Sequence, residues 1–271
     1  EILEGIENTE PLLPEPKSAK ELMETQFPDA LWLIQNIFTI GTINQLSAAP
    51  NQWKSWLTQY FAYKIAKGEQ VFNKFFTKKM GVLMVNEEDP ARTSKNRLSM
   101  LTKGQTEDIP VYFYNEIGFQ LTEENVNFLI EKMKEKNLEL VILDSLSVIH
   151  EANENSASEM NEVFKMMKQF LKAGFTVLFT NHHRKKPAMK GITDNGQEQT
   201  RGSTVINAVP AGHITCEPFE VADDKFLTIV QLKLKEEEKI KPFIIKILIS
   251  EDKKSIDFVY EENGELAKTI N

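Results

Sequence analysis

Asn44-Gln45-Leu46-Ser47-Ala48-Ala49-Pro50-Asn51-Gln52-Trp53-Lys54-Ser55-Trp56-Leu57 is the stretch on which the reading of this chain turns. The apolar run Ile37 to Leu46 leads into a short polar turn. Lys54-Ser55 then opens a helical pattern carrying Trp56, Leu57, Tyr60, Phe61 and Ile65. Strand, turn, Lys-Ser and helix is the order in which backbone N–H groups and a helix N-terminus hold phosphates, the P-loop layout. On that reading Ala49, Pro50, Asn51, Gln52, Trp53, Lys54, Ser55 and Trp56 surround a nucleotide. The glycines of G-x-x-x-x-G-K-[ST] are absent, with Ala48 at the first and Trp53 at the second. A plain strand–helix turn with an exposed lysine is the competing reading.

The flanking sequence supplies more strands of the same kind. The helix after Lys54 is expected to stop at Lys67-Gly68. Gly81-Val82-Leu83-Met84-Val85 reads as a buried strand and runs into Asn86-Glu87-Glu88-Asp89-Pro90. Arg92 to Leu101 reads as a helix, Val111 to Tyr114 as a short strand, and Thr122 as the N-cap of an amphipathic helix. Leu138 to Leu143 ends in Asp144-Ser145-Leu146-Ser147. After an acidic loop and a helix through Met160 and Phe170, Phe175 to Thr180 runs into Asn181-His182-His183. Buried strands separated by helices predict an α/β fold with a mainly parallel central sheet flanked by helices. The alternating segments 212–219, 226–235, 242–249 and 255–260 predict antiparallel strands at the C-terminal end. Each buried strand ends in polar residues, where open α/β sheets place their ligands.

Composition narrows the function. With 271 residues the chain has ample length for a core, and its net charge of −8 excludes a global basic field for nucleic acid or membrane. The single cysteine, Cys216, excludes an internal disulfide and multi-cysteine metal motifs, and points to a reducing, cytoplasmic setting. No apolar run reaches membrane-spanning length, no membrane partner is expected, and no signal peptide is visible. Pro11, Pro14 and Pro16 among Glu and Lys suggest a flexible N-terminal arm, residues 1–23, ahead of a single domain over 24–271.

Each polar strand end carries a chemical reading and a bland one. Lys54 would reach the β/γ-phosphates of ATP, and Ser55 with Asp144 would hold Mg²⁺; Asp144 could instead be a turn or N-cap residue. Glu88 could polarise an attacking water, with Glu87 and Asp89 as rivals; side-chain alternation sets Glu88 apart from both. His182 and His183 could sense the γ-phosphate. Metal binding is discounted because neighbours in an extended segment diverge and no cysteine or H-x-x-H partner accompanies them. Arg184, Lys185, Lys186 and Lys190 form the one local basic run, suited to the backbone of single-stranded DNA or simply solvated. Arg201 could complete a neighbouring subunit's site as an arginine finger or form a salt bridge.

Taken together, residues 24 to 250 resemble the RecA/DnaB-type P-loop ATPases, and among them the RepA-like hexameric helicases of plasmids, phages and mobile elements. The resemblance rests on Phe27-Pro28 with Trp32-Leu33, on Ala48 to Ser55, on Val82 to Pro90, on Val141-Ile142-Leu143-Asp144-Ser145-Leu146, on His150 and Glu151, on Leu178 to His183, and on Arg201-Gly202-Ser203. It implies a RecA-like ATPase with catalytic Lys54, Glu88, His182 and His183, with Arg201 acting from the next subunit. It further implies ATP and Mg²⁺ as cofactors, a homo-oligomeric ring of six, single-stranded DNA as partner, and a primase or replication initiator beside it. The departures concentrate at Ala48 and Trp53. A RecA-like nucleotide-binding protein with little or no turnover, regulatory or accessory to recombination, is the alternative.

Overall fold

The computed structural model describes residues 15–26, 32–106, 108–182, 204–235 and 237–262. In chain order the elements are α1 (Ala19–Glu24), β1 (Trp32–Ile34), β2 (Phe38–Thr39), β3 (Ile43–Ala48), α2 (Lys54–Lys67), β4 (Val82–Asn86), α3 (Ala91–Leu101), β5 (Val111–Asn115), α4 (Glu123–Glu135), β6 (Leu140–Asp144), α5 (Ala157–Lys172), β7 (Thr176–His182), α6 (Thr204–Ala208), β8 (Gly212–Val221), β9 (Asp224–Leu234), β10 (Phe243–Ile249) and β11 (Ile256–Glu261). Two compact units divide the chain, Glu1–Leu31 and Trp32–Asn271. The first holds α1, whose start is fixed by a capping box: Ser18 accepts from the Glu21 N–H, and the Glu21 carboxylate accepts from the Ser18 N–H.

The second unit is an α/β fold around a nine-stranded sheet in the order β11-β10-β9-β8-β3-β7-β6-β4-β5. From β8 to β5 neighbouring strands run parallel, whereas β8 to β11 pair antiparallel. Both faces are covered, which explains why the parallel strands read as continuous apolar runs rather than alternating ones. Val82, Met84, Leu140, Ile142 and Leu178 join the cluster that contains Tyr60 and Phe61 of α2. Their neighbours Leu83, Val85, Val141, Leu143, Val177 and Phe179 join the opposite cluster with Met133 of α4 and Phe164 of α5. The pleat sends successive side chains to opposite faces, so one strand feeds two cores.

The run Ile37 to Leu46, expected as one strand, is split. Gly41 takes a left-handed φ of +67°, and the chain turns there between β2 and β3. The amide of Gly41 donates to Thr176 Oγ1 at 3.0 Å, and Asn44 Nδ2 donates to the Thr39 carbonyl at 2.9 Å, so the turn is tied to β7 and to itself. At the far edge of this region β8 starts with Gly212, where an added Cβ would lie 2.8 Å from the Ile37 carbonyl oxygen and 2.9 Å from Asn44 Oδ1. Gly212→Ala is therefore expected to destabilise the domain by about 2 kcal/mol, as overpacking against backbone does. Urea unfolding checks this directly.

Candidate active site

Parallel strands in adjacent register bring the polar ends together. Ala48 of β3 lies beside His182 of β7, and Asn86 of β4 lies beside Asp144 of β6. Because β7 stands between β3 and β6, the P-loop, the histidine, the aspartate and the Glu88 turn line one edge of the sheet. This is the carboxyl edge, where helices begin and point their N–H groups.

The loop after β3 reaches the helix start without glycine. Asn51 has φ +61° and Trp53 has φ +58°, and Trp53 is the left-handed residue directly before Lys54. Asparagine visits that region at low cost, but a Trp there pays roughly 1 kcal/mol or more in backbone strain. Packing offsets it: the Trp53 ring lies 6.0 Å from Phe258 in an edge contact and 6.2 Å from Trp56. Trp53→Gly and Trp53→Ala both remove the ring, but only alanine keeps the strain. The glycine variant should be the more stable of the two by about 1 kcal/mol, measured by thermal unfolding. Below the loop, Ser47 Oγ and His213 Nε2 lie 2.8 Å apart, and the Cys216 thiol donates to the Gln52 carbonyl at 3.6 Å. Burial pushes the Cys216 thiol up to about 12, so it stays a neutral packing group.

Lys54 is only 4% exposed, which removes the exposed-lysine reading. Its Nζ lies 2.9 Å from His182 Nδ1, and His182 Nε2 lies 3.1 Å from Glu88 Oε1. A protonated lysine can only donate and a carboxylate can only accept, so the imidazole carries its proton on Nε2. Ser145 Oγ also donates to Glu88 Oε1. The hydrogen bond from His182 is the main force lowering the Glu88 carboxyl to about 2; Ser145 and the Lys54 charge act in the same direction against burial. Burial alone lowers the Lys54 ammonium, while Asp144 and Glu88 pull it back up.

Asp144 is fully buried, and burial raises its carboxyl; Thr180 and Ser55 act against that rise. Thr180 Oγ1 donates to Oδ1 at 2.6 Å, while Oδ2 makes no hydrogen bond of ordinary geometry. A buried carboxylate oxygen with no well-formed hydrogen bond, acted on by the Ser55 hydroxyl at a helix start, fits a hard oxygen-seeking cation such as Mg²⁺ held by few protein ligands. Among the described residues no cluster of three His, Cys, Asp or Glu side chains gathers to hold a metal ion by itself.

The three acidic neighbours separate by their partners. The Glu87 carboxylate accepts from the Ile117 and Gly118 amides, at 3.3 and 3.0 Å, and holds the loop after β5. Asp89 pairs with Arg97 at 2.5 Å. Only Glu88 turns toward His182. Its position is set by Asn86, whose Oδ1 accepts from the amides of Glu88 and Asp89 at 3.0 and 2.9 Å. Asn86, Ser145 and Thr180 carry no role in the sequence reading, and of the three only Ser145 had a signal, its place directly after Asp144. Trp56 sits beside the loop with the Arg97 guanidinium 5.7 Å over its ring. Ala49 is buried, whereas Pro50 and Asn51 are exposed. His183, Arg184, Lys185, Lys186, Lys190 and Arg201 lie outside the described residues.

A parallel sheet with this loop, lysine and pair of acidic strand ends defines a RecA-like P-loop ATPase fold. The AAA domain model matches residues 9–188, and the chain belongs to that family. Among solved structures the chain is similar to the KaiC-like protein PH0186 of the hyperthermophilic archaeon Pyrococcus horikoshii OT3. That likeness has a TM-score of 0.55 and 16% identity, covering 84% of this chain and 93% of that one, and is one of fold. No curated protein matches the chain.

Proposed function

We propose that the chain is an ATP-hydrolysing RecA-like motor, a RepA-like hexameric DNA helicase that moves along single-stranded DNA in the replication of a plasmid, phage or mobile element. The observation that carries the ATPase part is the unbroken line Lys54–His182–Glu88 beside Asp144. A phosphate-binding lysine, an imidazole and a carboxylate joined in one chain can exchange partners when a phosphate group enters. Lys54 then turns to the phosphate, His182 is released to donate toward it, and Glu88 orients the attacking water. Mg²⁺, held by Ser55 and Asp144, would supply charge neutralisation at the phosphates. The DNA part is supported by the resemblance and by the basic run 184–190 of the sequence, and a ring in which Arg201 acts across subunits by the resemblance alone.

ATP turnover with and without single-stranded DNA, followed by strand displacement on a forked duplex, tests this proposal. Stimulation by DNA with strand displacement is the expected result; turnover without either leaves an ATPase that is no helicase. A second reading, nucleotide binding without turnover, is favoured by Trp53 in a strained backbone position where the P-loop pattern has glycine. Saturable ATP binding with no phosphate release, on or off DNA, would establish it.

A further inference from the structure

Glu88 is held from two sides, and only one of them belongs to the nucleotide machinery described above. His182 Nε2 and Ser145 Oγ both donate to the same carboxylate oxygen, Oε1. Ser145 is fully buried at the end of β6, so its hydroxyl has no route to bulk water. Its other neighbour is Ser147 Oγ at 3.0 Å. Since Ser145 spends its single proton on the carboxylate, Ser147 must be the donor to Ser145, and the order Ser147 to Ser145 to Glu88 follows. The backbone repeats the tie, because the Glu87 amide donates to the Asp144 carbonyl at 2.9 Å. The Glu88 turn is thus fastened to the strand that carries Asp144 on one side and to β7 on the other.

We propose that Ser145 is a positioning residue for Glu88: it clamps Oε1 so that Oε2 is presented to the attacking water. The inference rests on the ATPase reading. If a phosphate draws His182 away, the carboxylate loses one of its two donors and would swing on its flexible side chain. The Ser145 bond does not depend on that exchange, so it keeps one oxygen fixed through the step at which orientation matters most. It also keeps Glu88 in register with Asp144, since donor and metal-binding residue are neighbours in the chain. Ser145 neither meets the phosphates nor moves a proton in the reaction; its effect passes through Glu88.

The test uses the full chain with Ser145→Ala and the hydroxyl-retaining Ser145→Thr, read in two ways. Phosphate release from ATP with Mg²⁺ should show Ser145→Ala lowering kcat about 10-fold, the scale of one hydrogen bond to a charged group, with KM unchanged. Ser145→Thr should recover most of that loss. Separately, the carboxyl carbon signal of Glu88 in ¹³C-labelled protein at neutral pH, assigned by its disappearance in Glu88→Gln, should shift in the alanine variant and return toward the wild-type position with threonine. A merely structural role would lower stability without moving that signal selectively. An unmoved Glu88 signal in a folded Ser145→Ala protein overturns the clamp, whatever the turnover. A moved signal with wild-type kcat overturns the positioning role. Absence of turnover in the wild type overturns the ATPase reading and this role with it, while the carbon signal still decides whether Ser145 holds Glu88.

Discussion

Lys54→Ala is expected to weaken ATP binding on the order of 100-fold, the loss that follows from removing a charge-assisted hydrogen bond to phosphate together with its charge. The size follows from where the lysine sits. The residue is 4% exposed and its Nζ lies 2.9 Å from His182 Nδ1, so the side chain is already largely desolvated and held at the site before nucleotide arrives. Little of its interaction is then spent on ordering a mobile side chain. Equilibrium titration with a fluorescent ATP analogue checks the loss. Circular dichroism of the same sample separates failed binding from failed folding. Undiminished affinity in a folded Lys54→Ala protein would mean that phosphates bind elsewhere.

Glu88→Gln is expected to leave nucleotide affinity within about 2-fold of wild type and to lower kcat by roughly 10² to 10⁴, the range for removing a positioned base. Glutamine keeps the shape and an acceptor for His182 and Ser145, so the effect reports the missing charge. The same variant carries a pH signature. The folded-state carboxyl is lowered from 4.5 to about 2, chiefly by the His182 hydrogen bond. A depressed carboxylate contributes stability that is fully present above its unfolded pKa, and that contribution is lost as pH falls from about 4.5 through about 2. Wild type should therefore lose stability faster than Glu88→Gln on acidification through that window, as urea unfolding across pH would show. Parallel acid curves would mean that the His182 contact is not formed in solution.

How much of this was legible in the sequence follows from the kind of interaction involved. β4, β6 and β7 could be read because strands buried on both faces must be apolar at every position, and their polar ends stand out against that run. The antiparallel end could be read from its alternation, and α2 from the Gly68 stop, where φ is +71°. The split at Gly41 was not legible, because Phe38, Ile40, Ile43 and Leu46 keep apolar side chains on both sides of the turn and only one glycine marks it. Trp53 was legible as a departure but not as a left-handed residue. A bulky ring there requires Phe258, 205 positions away by the numbering, to hold it. Asn86 and Thr180 were invisible as site residues, since each acts by a hydrogen bond whose partner is set by tertiary register or by a turn. Alternation could only set Glu88 on one face and Glu87 with Asp89 on the other, and the resemblance chose Glu88; β4 ends at Asn86, and what separates the three is the turn that Asn86 stabilises.

Whether this glycine-less loop works as part of an ATP site decides the proposed chemistry. The decisive measurement is Mg²⁺-dependent phosphate release from ATP by the wild-type chain, run beside Lys54→Ala and Glu88→Gln at the same protein concentration. The expected result is turnover by the wild type that both substitutions remove, the first through binding and the second through kcat. Phosphate release that survives in Lys54→Ala, or none from the wild type at saturating ATP, would contradict it.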